Sequence, residues 1–169
     1  MIGHRVVSLV VIGVITATVF TSGPFVPVDF TSRDSPCEGG ALSDQGTAVV
    51  QSSSLPESAT LTRSEFGAEV WKLSVPDADV RTTDIRGCVR LTYEISIGEL
   101  GITSLSTTTV SEESPERTTL SIPKTTVDPD RVTEDQYDAE LSLTYHGTEN
   151  ETTVERTLVS RNITVEVEE

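Results

Sequence analysis

Reactive and basic side chains are scarce in this chain of 169 residues, which has two cysteines, two histidines, one tryptophan and only two lysines, Lys72 and Lys124. With His4 and His146 as the sole imidazoles, no zinc-type His cluster can form. Nor does the sequence contain a Gly-rich phosphate loop or a serine nucleophile motif. Bases are outnumbered: 12 Lys and Arg stand against 27 Asp and Glu, a formal net charge of −15. That balance excludes binding to nucleic acid through backbone charge, which needs clustered Lys and Arg, and disfavours anionic membrane surfaces. No catalytic residue, no cofactor and no metal ligand set is assigned. Asp128, Asp130, Glu134 and Asp135 are oxygen-rich, but Val132 and Thr133 stand where an EF-hand loop needs a ligand and its glycine, so the acids read as a solvated loop.

What is present begins with an apolar run at residues 6–20, VVSLVVIGVITATVF, headed by His4 and Arg5. A basic flank before an apolar segment is the mark of an export signal. As a helix the run spans roughly 23 Å, short of the ~30 Å hydrocarbon core, and extension over residues 2–22 nearly closes the gap. Gly23 and Pro24 end it. Thr21-Ser22-Gly23 supplies small residues for a cut, but Pro24 follows at once. An uncleaved transmembrane anchor, a removed signal peptide and a buried core helix therefore all stay open. Arg5 favours the amino terminus inside, so a retained segment makes a single-pass membrane protein with its C-terminal domain outside, and a cut one makes a secreted protein. Cys37 lies too far downstream for a lipoprotein signal, and Gly3 precedes Arg5 in the wrong order for a prepilin.

The chain divides into the anchor or signal segment (1–23), a Pro-, Gly-, Ser- and Asp-rich spacer (24–46) and a β-rich domain (47–169). Residues 87–98 give the clearest strand: Val89, Leu91, Tyr93, Ile95 and Ile97 share one face, and Cys88, Arg90, Thr92, Glu94 and Ser96 the other. Comparable runs fall at 48–52, 59–62, 70–75, 102–110, 118–122, 139–146, 153–159 and 163–167, separated by turn formers such as Pro76-Asp77, Ser114-Pro115 and His146-Gly147. Trp71, Leu73 and Val75 share a face, which makes Trp71 a core anchor. Many short strands with no helix between them predict an all-β antiparallel β-sandwich behind one N-terminal hydrophobic helix. A change of parity between Val154, Leu158 and Ile163, Val165, Val167 predicts a bulge at 160–162.

The stretch 135–143, DQYDAELSL, is similar to the D-x-Y-x-(C/A)-x-L pattern that opens the penultimate strand of immunoglobulin-like domains. The resemblance implies that Tyr137 forms a structural tyrosine corner and that Ala139 replaces the cysteine of antibody domains. The acid-rich, lysine-poor composition also resembles that of halophile proteins. Together the features resemble haloarchaeal exported or membrane-anchored surface proteins with an immunoglobulin-like domain, a resemblance that carries no activity.

In an oxidising setting Cys37 and Cys88 either pair, stapling spacer to sheet, or remain as free or intermolecular thiols. Asn150-Glu151-Thr152, in an expected hairpin loop, and Asn162-Ile163-Thr164, at the expected bulge, match the N-glycosylation triplet. The resulting expectation is a non-enzymatic cell-surface module, held to the membrane by its N-terminal segment and contacting an envelope protein, glycan or filament. Edge pairing by a Thr-rich strand around 104–110 is one route to such contact. The alternatives are a subunit of a filament or pilus-like assembly, built from like subunits, and an accessory part of an exported hydrolase.

Overall fold

A computed structural model describes residues 37, 46–64 and 70–168. The expected anchor or signal segment, and all of the spacer except Cys37 and Gly46, lie outside the described residues. Among the described residues no helix is long and apolar enough to cross a membrane.

The chain is all-β. Its strands are β1 (Thr47–Ser54), β2 (Ser58–Arg63), β3 (Trp71–Ser74), β4 (Ala78–Arg86), β5 (Val89–Ile97), β6 (Ile102–Val110), β7 (Arg117–Leu120), β8 (Thr125–Val127), β9 (Gln136–Glu149) and β10 (Thr152–Glu168), with a 3₁₀ turn at Pro129–Arg131. One sheet has three strands in the order β1-β4-β7, and the other has seven, β6-β5-β9-β10-β2-β3-β8. The expectation of a purely antiparallel fold is corrected at one place: β10 runs parallel to β2, Thr164 to Glu168 beside Ser58 to Thr62.

Strict alternation builds β5 and β9. Val89, Leu91, Tyr93, Ile95 and Ile97 on β5 and Tyr137, Ala139, Leu141, Leu143 and Tyr145 on β9 are buried, while their neighbours point to the other face. They share one hydrophobic core with Leu61, Leu73 and Trp71 of the larger sheet and with Ala78, Val80 and Leu120 of the smaller. The core is closed by polar contacts as well: the Tyr93 hydroxyl donates to the Pro76 carbonyl at 2.9 Å. Ala48 N–H donates to the Tyr145 hydroxyl at 3.2 Å and Thr148 N–H to the Gly46 carbonyl at 2.7 Å, docking the start of β1 on β9. Gly46 suits this approach because any Cβ there would strike the Cys88 backbone.

Three local expectations change. His146 and Gly147 continue β9 rather than turning, and the hairpin narrows to a two-residue turn at Asn150 (φ 50°) and Glu151 (φ 63°), inside the loop expected to hold Asn150. Two successive positive φ values mark a type I′ turn, whose twist matches the strands it joins. The β10 bulge is at Leu158, between the pairs Thr157–Thr144 and Val159–Leu143, two residues before the expected place. Finally, β4 and β8 carry no clear sequence signal: β4 presents Ala78, Val80 and Thr82 inward, and Asp84 (φ 50°) breaks the alternation before Ile85.

Candidate functional site

The residues singled out from sequence fall in separate places. Cys37 and Cys88 are joined in a disulfide with 5.6 Å between Cα atoms, tying the segment before β1 to the entry of β5. Tyr137, buried at the start of β9, accepts hydrogen bonds from the backbone N–H groups of Thr133 (2.7 Å) and Glu134 (2.9 Å), which fixes the corner entering the strand. Asn150 is exposed at the tip of the β9–β10 hairpin, and Asn162 is exposed within β10 opposite Glu140, away from the bulge. Asp128 caps the 3₁₀ turn by accepting from Asp130 N–H at 3.0 Å. Among the described residues no group of three or more His, Cys, Asp or Glu is arranged to hold a metal ion.

One constellation has the outline of catalytic chemistry. The Thr92 hydroxyl lies 3.4 Å from His146 Nε2, and His146 Nδ1 lies 3.5 Å from the Glu155 carboxylate. A nucleophile needs a second element, backbone or side-chain donors converging where an oxyanion develops. Here β5 is paired on both sides, with β6 and β9, so the amides around Thr92 are committed to the ladders. Across the smaller sheet, a groove of about 340 Å³ runs beside Ser52, Ser53 and Ser54, but its cations are already matched: Arg81 with Glu116 at 2.9 Å and Arg117 with Asp79 at 3.3 Å.

The sheet edges differ more than the cavities do. An unpaired strand edge presents a row of backbone donors and acceptors to any passing strand, and proteins blunt it with bulges, short length, charge or proline. Register shifts on either side of Val49 and Val50 interrupt β1. At four residues, β7 is short and carries the exposed Arg117. At three residues, β8 runs directly into Asp128-Pro129. By contrast β6, ITSLSTTTV, is nine residues long, has no charge and no proline, and pairs with β5 from Val89–Val110 to Ile97–Ile102 without a register shift.

Comparison with protein-family models, with curated proteins and with solved structures returns no match.

Geometry is therefore the guide, and it favours β6. Its outer face shows Thr103, Leu105, Thr107 and Thr109, all exposed, and among the described residues Leu105 is one of two large exposed hydrophobics, 52 % accessible. Thr107 heads a cross-strand row of four threonines, Thr107–Thr92–Thr144–Thr157, continuous over β6, β5, β9 and β10. Near the strand's beginning the Ser104 hydroxyl meets Thr125 of β8 at 2.9 Å, so the two ends of the seven-stranded sheet approach there through side chains alone. Among the described residues, no backbone hydrogen bond beyond those to β5 engages β6. The Thr-rich composition of 104–110 signalled this strand in the sequence. That it is a sheet edge follows only from the strand order.

Proposed function

We propose that this chain is a non-enzymatic surface module: an immunoglobulin-like sandwich, carried outside the cell on the segment 1–23, which joins a neighbouring envelope component by strand addition at β6. The observation that carries the reading is the unguarded β6 edge, nine uncharged residues in regular register beside three blunted edges. Strand addition draws its affinity from main-chain hydrogen bonds and its specificity from alternate side chains, and β6 offers both.

The immunoglobulin-like part of the reading has its own support. In that architecture A, B and E strands share one sheet and C, F and G strands the other. Here β1, β4 and β7 fit the first set, β5, β9 and β10 the second, with β6 as an added strand beside C. Tyr137 makes the corner bonds at the entry to the F-like strand, and Ala139 follows two residues later, where antibody domains hold cysteine. An outward, salt-rich location accords with the net charge of −15, the disulfide and the exposed Asn150 and Asn162, which we assign as glycan acceptors.

The test is site-specific photocrosslinking in intact cells. A photoreactive residue at Thr107 is expected to join the chain to another envelope protein or to a like subunit, whereas one at Thr83, on the smaller sheet, is not. Equal yields from both positions, or protection of the domain from protease added outside the cell, would overturn the reading.

A further inference from the structure

We infer that the strand added at β6 is β6 of a second copy of this chain, aligned antiparallel about a two-fold axis through Ser106. The inference rests on the reading of β6 as the working edge and supplies its partner.

The first ground is the residue pattern of β6. Folded about Ser106, ITSLSTTTV is close to a palindrome: Ile102 faces Val110 of the second copy, Thr103 faces Thr109, Ser104 faces Thr108, and Ser106 faces itself. Only Leu105 opposite Thr107 breaks the match. On the exposed face Thr103 opposite Thr109 gives two hydroxyl pairs of the kind that favour cross-strand contact, while Ile102, Ser104, Ser106 and Thr108 lie half-buried and Val110 buried on the inner face. A two-fold contact requires this kind of self-complementarity, because each residue meets its mirror position rather than a foreign sequence.

Charge is the second ground. Two chains that each carry −15 repel, so copies can meet closely only where charge is missing. Strand β6 itself is such a place, but acids surround it: Glu94 opposite Leu105 on the adjoining strand, and the exposed Glu99, Glu112 and Glu113 just beyond its ends, where the register sets Glu99 opposite Glu113 of the second copy. Screening then governs the contact: the Debye length falls from about 10 Å at 0.1 M salt to about 3 Å at 1 M. Pairing therefore tightens with salt, the opposite of a contact held by ion pairs.

Third, the geometry closes. An isologous edge-to-edge contact uses both β6 edges and stops at two chains, joining two seven-stranded sheets into one. This separates it from a head-to-tail filament, which leaves an edge free at each end.

The experiment uses the full-length chain in detergent, with its Cys37–Cys88 bond verified by peptide mass. Sedimentation is expected to give a dimer at molar salt that dissociates as salt is lowered. Thr107→Glu, an exposed substitution that sets an acid opposite Leu105 of the other copy, one strand away from its Glu94, and brings the two new acids diagonally together across the axis, is expected to weaken dimerisation at least tenfold while leaving thermal unfolding of the monomer unchanged. Independently, Ser106→Cys is expected to oxidise to a covalent dimer, since opposed Cα atoms in an antiparallel pair lie about 4.5–5.5 Å apart, within disulfide reach. Thr109→Cys is expected not to, because the two copies of residue 109 would lie about 20 Å apart along the strands. A monomer at every salt and protein concentration, a dimer indifferent to Thr107→Glu, equal cross-linking at 106 and 109, or assemblies growing beyond two chains would each overturn the inference. If the chain is monomeric but Thr107 still crosslinks to a different envelope protein in cells, the copy is wrong and the edge stands; if neither occurs, both fail.

Discussion

At the residue scale, the buried tyrosines carry more than packing. Burial, reinforced by the nearby Asp77, raises the Tyr93 hydroxyl above the ordinary tyrosine range, and burial also raises Tyr145, against the lowering effects of Ala48 N–H and Arg156. An unfolded tyrosine ionises near pH 10, so the unfolded chain releases these protons first. Their contribution to stability is whole below about pH 10 and is lost as pH rises from there towards the folded values. Denaturant titrations should show stability falling above pH 10 by up to about 1.4 kcal/mol per pH unit for each such group. Tyr93→Phe should make that fall shallower. Tyr137 predicts a different signature: Tyr137→Phe strands the Thr133 and Glu134 amides and should cost about 1–3 kcal/mol, read as a lower denaturant midpoint at unchanged slope.

Whole elements differ in how openly the sequence announces them. The β5 strand is legible because Val89 to Ile97 alternate without interruption, and β9 because Tyr137 to Tyr145 do the same. Concealment in β4 has a local cause: alanine and threonine fill two of its inward positions, and Asp84 in the left-handed region throws Ile85 out of phase. At three residues, β8 has no period to read. Parallel pairing of β2 with β10 joins segments about a hundred residues apart, and no local pattern encodes such a partnership. The same limit applied to the candidate site: the Thr-rich strand could be seen in the sequence, but its position at the rim of a seven-stranded sheet could not. The hairpin loop around Asn150 is legible, but its start is not: His146-Gly147 has the composition of a turn, whereas Gly147 is buried in β9, its missing Cβ leaving room for the Tyr145 ring. Asparagine accepts a positive φ readily, and glutamate pays about 1–2 kcal/mol for it. Glu151→Gly should therefore raise stability by about 1 kcal/mol in equilibrium unfolding, while keeping the Asn150 acceptor triplet.

At the scale of the molecule, the proposed function rests on one covalent bond and one open edge. The disulfide spans a sequence separation of 51 and encloses all of β1 to β4, half of them in the smaller sheet and half in the larger. Opening that loop should lower stability by about 4 kcal/mol on the chain-entropy argument, measured as the difference in unfolding free energy between the oxidised chain and the Cys37→Ser/Cys88→Ser variant. The chain carries a net charge of −15, and among the described residues β6 is a long sheet edge with no charged side chain. The measurement that bears most directly on the proposed role of β6 is site-resolved hydrogen exchange of the full-length protein in intact cells. In a lone edge strand, amides turned towards the neighbouring strand are protected and those turned outward exchange freely, so protection alternates along the strand. An edge engaged by a partner strand predicts slow exchange at consecutive amides from Leu105 to Thr109. Alternating fast exchange along β6 in intact cells would contradict it.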